Sequence, residues 1–184
     1  MITVVDVETS WQVTDTGGYD PSPYHPDNIL VSVGINDEYY FTNHSEKIDD
    51  GCYHNIQSIL DKTTLLVGHN IKFDLMWLIE AGFKYTGKVY DTMLGEYILN
   101  RGIRKSLTLE MSCRRRRIGS KDNRIKEFTD RGIPFQNIPA NVVEEYGRMD
   151  VQITRDLFNS QMADFRMPKN KHLLMTAKMM NEFL

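Results

Sequence analysis

Cysteine, proline and long apolar runs are scarce in this chain of 184 residues. The 2 cysteines, Cys52 and Cys113, are too few for a metal knuckle and lack motif spacing, so we expect free thiols in a reducing compartment. No segment has the length of an apolar membrane helix, and the first residues lack the basic start and apolar core of a secretory signal. These absences predict a cytoplasmic protein with no membrane partner.

Positive charge is also short overall, with a formal net charge of −3, but it is unevenly distributed. Residues 101–126 hold ten Lys or Arg against two acids. The run Arg114–Arg117 within this segment is a candidate patch for the phosphate backbone of a single strand of nucleic acid. A solvated helix end is an equally good interpretation. The remaining composition, 41% hydrophobic and 26% charged, is that of one globular domain.

Two acids lie in the opening segment, where residues 2–8 are rich in β-branched side chains and predict a central strand. Side chains alternate along a strand, so Asp6 and Glu8 point to the same face while Val5 and Val7 point to the other. Like charges at that spacing repel each other, and a divalent cation between them would relieve the repulsion. The alternative is a strand end that reaches solvent.

A third acid lies on a predicted helix over residues 141–158. Asp150 occupies a core position of that helix, and Tyr146 lies one turn earlier on the same face, within reach of whatever Asp150 binds. The alternative is a helix-edge Asp beside a packed Tyr. The inward stripe recurs at steps of three and four residues and consists of Val143, Tyr146, Asp150, Ile153 and Leu157.

A fourth acid follows a short buried strand predicted at residues 64–68. Asn70 would lie near the start of the next helix, where capping alone explains an Asn. Asp74 is four residues further on and shares the face of Asn70, so it looks toward the strand that carries Asp6 and Glu8. Asp74 and the acids of the first strand could therefore face one cleft.

The other elements predict an α/β fold with a mixed central sheet flanked by helices. Residues 29–35 and 38–42 alternate as two antiparallel strands, and a further strand is predicted near 88–90. Residues 119–140 look irregular. The loop over residues 10–28 carries Trp11, Tyr19 and Tyr24, which either stack a base or pack on their own neighbours.

In order along the chain, the patterns Asp-x-Glu-Thr, Asn-x-x-x-Asp and Tyr-x-x-x-Asp resemble the three motifs of the DEDDy 3′–5′ exonucleases. Residues 68–74, 90–94 and 97–100 are also similar to the proofreading domain of bacterial DNA polymerase I and its phage relatives. The resemblance covers residues 1–165. A sister group has His where this chain has Glu145, so Tyr146 indicates the tyrosine class. The resemblance implies a ribonuclease H-like fold.

The resemblance further implies a site for two divalent cations, Mg²⁺ or Mn²⁺. Asp6, Glu8 and Asp150 would hold the first cation, with Asp6 bridging to the second. Asp74 would support the second, largely through water. Tyr146 would orient or help to deprotonate the attacking water, while one metal activates that water and the other stabilises the leaving 3′ oxygen.

The expected substrate is the 3′ end of single-stranded or frayed DNA, which would be shortened by release of nucleoside 5′-monophosphates. Thr9 and Asn70 would contact the terminal nucleotide. Related enzymes also trim RNA, so a standalone 3′–5′ exoribonuclease-type processing enzyme is the alternative. A nucleic-acid-binding module without turnover is a second alternative, which the presence of all four acids and Tyr146 disfavours.

The C-terminal residues 169–184 predict an amphipathic helix that stops on apolar residues without a cap. We therefore expect an exonuclease domain at 1–165 and, at 166–184, the start of a connection to a covalently linked polymerase domain, in a protein of phage type. A standalone exonuclease is the competing hypothesis, and a monomer is expected in either case. The predicted apolar side of the helix consists of Leu173, Ala177, Met180 and Leu184, with Leu174 at its edge.

Overall fold

A computed structural model describes residues 1–119 and 124–181, which fold around one five-stranded sheet. The strands, including a separate hairpin of β2 and β3, are β1 (Ile2–Thr9), β2 (Gln12–Val13), β3 (Tyr19–Asp20), β4 (Leu30–Ile35), β5 (Glu38–Phe41), β6 (Leu65–Gly68) and β7 (Lys88–Asp91). The sheet order is β5-β4-β1-β6-β7. Strand β1 pairs antiparallel with β4 and parallel with β6, so the predicted mixed sheet is confirmed.

Helices cover both faces of the sheet. They are α1 (Cys52–Asp61), α2 (Ile71–Glu80), α3 (Thr92–Leu99), α4 (Leu109–Arg116), α5 (Arg124–Thr129), α6 (Ala140–Arg166) and α7 (Lys171–Asn181). Helices α1 and α2 bury one face together with Val5 and Val7. Helix α6 crosses the other face, where Val151 and Phe158 pack with Val4. The alternation of β1 therefore turns Asp6 and Glu8 toward α6.

Helix α6 is longer than predicted, because it runs to Arg166 and not to residue 158. Its last turns are held by Gln161 and Phe165, which are 0% and 1% exposed. Pro168 follows shortly after and opens a short 3-10 helix that separates α6 from α7. At 27 residues α6 is about 40 Å long, so it links the β5 side of the sheet to the β7 side.

The prediction that residues 119–140 are irregular is wrong. They contain α5 and the 3-10 helix Phe135–Asn137. The reason is tertiary: Ile125 and Ile138 are buried in one cluster with Phe41 and Val143, which the local sequence does not reveal. In the loop 10–28, Trp11 packs edge to face on Tyr19 and Phe135, with ring centroids 5.6 and 5.7 Å away. Trp11 therefore packs on its own neighbours.

The C-terminal helix begins at Lys171, two residues later than predicted, because residues 168–170 form a 3-10 turn. Its predicted apolar side is confirmed as far as it is described: Ala177 is buried, and Leu173, Leu174 and Met180 pack beside it. The last predicted contact, Leu184, lies outside the described residues. Both cysteines are buried, and neither forms a disulfide within the described residues.

Candidate active site

Three acids from the two ends of the chain meet on the α6 side of β1. Oxygen atoms of Asp6, Glu8 and Asp150 all lie within 4.8 Å of one another. Glu8 and Asp150 are only 7% and 3% exposed, and Asp6 is partly buried. An all-oxygen carboxylate set of this kind fits a hard divalent cation, which removes the cost of burying like charges together.

Two glycines bring α6 close enough to the sheet to place Asp150 over β1. A Cβ on Gly147 would lie 2.5 Å from the ring of Tyr39, and a Cβ on Gly34 would lie 2.8 Å from the side chain of Val151. The hydroxyl of Tyr39 is held by Ser32 at 2.8 Å and donates to the carbonyl oxygen of Val143 at 3.2 Å. This contact locks the first turns of α6 onto β4 and β5, and sequence reasoning did not find it.

Asp74 lies beside the acid cluster at the edge of β1. The pairing of β6 with β1 covers Ile2 to Val4, and further along that edge Asp74 Oδ1 accepts a hydrogen bond from the Val7 N–H at 3.1 Å. Burial raises the pKa of Asp74 well above its usual value, and the negative charge of Asp6 raises it further. Asp74 thus supports the strand segment between Asp6 and Glu8.

Tyr146 lies one turn before Asp150 on α6, as the spacing predicts, and its hydroxyl donates a hydrogen bond to that carboxylate. Its ring is tilted against Phe135, with the centroids 6.0 Å apart. Burial raises the pKa of Tyr146 far above its usual value, and the charges of Glu8 and Asp150 add to the effect. The hydroxyl therefore keeps its proton and acts as a hydrogen-bond donor.

Asn70 precedes α2 with φ 63° and ψ 43°, in the left-handed region that Asn tolerates, and its side chain makes no capping hydrogen bond. The capping interpretation of Asn70 is therefore wrong, and its side chain is exposed. Asp91 at the end of β7 holds the Asn70 backbone instead, accepting its N–H at 2.9 Å and that of Met93 at 2.8 Å. Thr9 is 7% exposed and follows an irregularity in β1 at Glu8.

Asp91 is a positioning residue beside the candidate site, and sequence reasoning did not find its hydrogen bonds. It is 1% exposed and joins the starts of α2 and α3. The pKa of Asp91 is raised by burial, and hydrogen bonds from the backbone N–H groups of Asn70 and Met93 offset part of this rise. An Asp at the junction of a strand and a helix is an N-cap signal, which could have identified it.

The arginine run divides into two pairs. Arg115 and Arg116 are partly buried and form ion pairs with Glu96 at 3.2 and 2.7 Å, so these two side chains are held within the fold. Arg114 and Arg117 at the end of α4 are exposed. A continuous four-arginine surface for nucleic acid is therefore not formed, and half of the run stabilises the fold.

Comparison with known proteins agrees with this geometry. A family model of the DNA polymerase A type, described as 3′–5′ exonuclease, matches residues 14–163. The chain belongs to this 3′–5′ exonuclease family. The matched segment contains Asn70, Asp74, Tyr146 and Asp150, whereas the acids of β1 precede it. Exonuclease domains of this type use divalent metal ions.

Solved structures share the fold at low identity. NrnC of Brucella melitensis with bound Mg²⁺ has 16% identity and a TM-score of 0.65, over 99% of this chain and 80% of that one. The RRP6 catalytic core of Trypanosoma brucei has 12% identity and a TM-score of 0.59, over 98% and 45%. A family B DNA polymerase of Pyrobaculum calidifontis has 15% identity and a TM-score of 0.60, over 88% and 24%. The fold is thus ribonuclease H-like.

No curated protein matches the chain. Within residues 1–119 and 124–181, every helix is too short or too polar to cross a membrane.

Proposed function

We propose that the chain removes nucleotides from the 3′ end of single-stranded or frayed DNA. It hydrolyses the terminal phosphodiester and releases nucleoside 5′-monophosphates. The observation that carries the proposal is the convergence of Asp6, Glu8 and Asp150, with Tyr146 hydrogen-bonded to Asp150. Membership of the 3′–5′ exonuclease family supports the polarity.

Four acids would hold two divalent cations. Asp6, Glu8 and Asp150 suit the first because their oxygens already converge, and Asp74 beside Asp6 would serve the second. When bound, such cations activate the attacking water and stabilise charge on the leaving 3′ oxygen. Mg²⁺ and Mn²⁺ both suit an all-oxygen set, and we propose that either supports hydrolysis.

The other groups position the reactants. The Tyr146 hydroxyl, which donates a hydrogen bond to Asp150, would orient the attacking water by hydrogen bonding. Thr9 at the end of β1 and the exposed side chain of Asn70 would contact the terminal nucleotide. Asp91 would keep Asn70 in place through its bond to the backbone N–H.

DNA is the proposed substrate because the matching family model is of the DNA polymerase A type. In that setting, residues 1–165 would be the exonuclease domain, and residues 166–184 would lead to a polymerase domain for which it proofreads. A processing enzyme that acts on RNA would differ by a contact to the 2′-hydroxyl. Substrate preference therefore decides between these two roles.

The test is hydrolysis of 3′-labelled and 5′-labelled single-stranded DNA with Mg²⁺ or Mn²⁺, beside RNA of the same sequence. Asp6→Ala serves as the inactive control. Stepwise shortening of DNA from the 3′ end, absent in the variant, is the expected result. Faster shortening of RNA than of DNA would favour a role in RNA processing over proofreading. Binding without metal-dependent cleavage of either strand would identify a binding module.

A further inference from the structure

A second charged cavity lies away from the acid cluster. It has a volume of about 680 Å³ and is formed by α3, α4, the end of α6 and the turn that follows. Five of its lining side chains are positively charged, namely Arg101, Lys105, Arg115, Arg116 and Lys169, and Glu96 and Asp164 are negatively charged. The cavity therefore has an excess of positive charge, which is the opposite of the candidate active site.

The inner wall of this cavity is neutralised within the protein. Glu96 is 2% exposed and binds both Arg115 and Arg116, and Arg116 also binds Asp164 at 2.7 Å. Gln161 donates a further hydrogen bond to Glu96 at 3.2 Å. Two acids thus balance two arginines. These groups shape the wall and add little net charge.

The excess charge comes from the rim of the cavity. Arg101, Lys105 and Lys169 are exposed, and none of them forms an ion pair with an acid in the described parts of the chain. The nearest polar contacts of Arg101 are long, at 3.5 Å to the Lys169 carbonyl oxygen and 3.4 Å to Asn170. Three positively charged side chains therefore face the cavity mouth, where a phosphate group would form charge-assisted hydrogen bonds with them.

The rim is connected to the candidate active site. The carbonyl oxygen of Leu107 is bonded to His69 Nε2 at 2.8 Å, and His69 precedes Asn70. Lys105 lies two residues before Leu107, so one end of the rim is close in the chain to this contact beside Asn70. Along α6, Ser160 in the cavity is ten residues beyond Asp150, a distance of about 15 Å. A single strand of a few nucleotides spans such a path.

We propose that this cavity binds a backbone phosphate of the substrate strand, a few nucleotides upstream of the bond that is cleaved. The inference rests on the proposed exonuclease function. A free nucleotide offers the same phosphate chemistry. The strand is favoured because the rim lies close in the chain to the Leu107–His69 hydrogen bond beside Asn70. The cavity would therefore hold longer strands more tightly than a dinucleotide.

The test compares Lys105→Ala/Lys169→Ala with Lys62→Ala/Lys84→Ala, which removes two exposed lysines outside the cavity. Binding of labelled DNA is measured by fluorescence anisotropy over a salt series, in an Asp150→Asn background that blocks hydrolysis. For a strand of roughly 12 nucleotides, the cavity variant should bind about 10-fold more weakly, with a salt slope smaller by about 0.7 for the one phosphate that is lost. Dinucleotide binding and the control variant should not change.

Equal binding of the long strand by the cavity variant and the control would overturn the inference. If binding of inorganic phosphate depends on Lys105 and Lys169 while binding of the long strand does not, the occupant of the cavity is a free anion and the inference about the strand is overturned. Hydrolysis by the two variants in the otherwise native chain separates the two proposals. If Lys105→Ala/Lys169→Ala is active and its KM for the long strand is unchanged, the cavity proposal is overturned and the exonuclease proposal stands. An inactive chain whose binding depends on the two lysines overturns only the exonuclease proposal.

Discussion

Helix α6 contributes one acid to each of two charged groups, and the two groups differ in what surrounds the carboxylates. Within its first half, Asp150 lies with Asp6 and Glu8, so acids are grouped with acids. Near its C-terminal end, Asp164 and the buried Glu96 lie with Arg116, so acids are grouped with a guanidinium. Buried charge needs compensation, and in the second group Arg116 supplies it through ion pairs. The convergence of three carboxylates makes the first group the candidate cation site.

The pKa shifts of the carboxyl groups in or beside the two charged groups point in opposite directions. Burial by itself raises the pKa of Glu96, but hydrogen bonds and the charge of Arg116 outweigh burial and hold it below its usual value. Burial raises the pKa of Asp74 well above its usual value, and the neighbouring charge of Asp6 adds to burial. One environment favours the carboxylate and the other disfavours it. This difference separates a structural group from a candidate metal site.

The largest effect is expected from acids of the first group. Asp6→Ala or Asp150→Ala should lower the rate of hydrolysis by at least about 1,000-fold, which is about 4 kcal/mol, because a metal ligand is lost. The variants should fold as well as the parent or better, since repulsion in the metal-free site is relieved. Single-turnover hydrolysis and urea unfolding measure the two properties. Asp164→Ala is the matched control on the same helix, and a comparable loss of activity there would erase the distinction.

The second effect is on stability. Glu96→Ala should lower the free energy of unfolding by about 3 kcal/mol, because it leaves Arg115 and Arg116 without their buried acid. The rate of hydrolysis of a dinucleotide per folded molecule should not change, because a dinucleotide does not reach the cavity that Glu96 lines. Glu145→Ala, which removes an exposed partner of Arg124, is the control and should cost less than about 1 kcal/mol. Equal losses in urea unfolding for the two variants would show that the Glu96 network is not structural.

The third effect concerns the water-orienting hydroxyl. Tyr146→Phe should lower kcat by about 10- to 100-fold, because it removes one positioned group and leaves the carboxylates in place. Metal binding, followed by titration calorimetry with Mn²⁺, should be unchanged. Tyr53→Phe, at an exposed ring stacked on Phe83, is the control. Full activity of Tyr146→Phe would end its proposed role.

The fourth effect concerns the approach of α6 to the sheet. Gly147→Ala should destabilise the fold by about 2 kcal/mol and slow hydrolysis, because the added methyl meets the ring of Tyr39 and displaces Asp150. Gly119→Ala is the control, since nothing lies within 4 Å of its added Cβ. The two variants are compared by thermal unfolding and by kcat. A stable and active Gly147→Ala would mean that α6 does not depend on this close contact.

The smallest effect is on the pH dependence of the metal-free protein. Because the folded-state pKa of Asp74 is raised, the folded protein keeps a proton that the unfolded chain releases above about pH 4. Stability should therefore fall as the pH rises from about 4 through that raised pKa, by about 1 kcal/mol per pH unit. Asp74→Asn should remove this loss of stability, because an amide does not titrate. The fold should be kept, because the amide oxygen still accepts the Val7 N–H.

Glu96 should give the opposite dependence. Its folded-state pKa is lowered, so its contribution is complete above about pH 4.3 and is lost as the pH falls through the lowered pKa. Urea unfolding in chelator over a pH series, with Asp74→Asn and Glu96→Gln, measures both slopes. If stability depended on pH with the same sign at Asp74 and at Glu96, the difference between the two charged groups would be contradicted.

Short-range spacing was enough to predict much of the site. A period of two puts Asp6 and Glu8 on one face of β1, and a step of four puts Tyr146 above Asp150 on α6. The structure has both arrangements, because each depends only on the local helix or strand geometry. The mixed sheet could be predicted in the same way, from alternation and turn residues.

Contacts between distant segments could not be predicted. The bond from Val7 to Asp74 and the pairing of Glu96 with two of four adjacent arginines join residues that are neighbours only in the folded chain. The same holds for α5, whose apolar side chains are buried by partners from β5 and α6. Local pattern gives a residue its direction on a helix or strand. Packing of that element against another decides whether a charge meets an acid, an arginine or a metal ion.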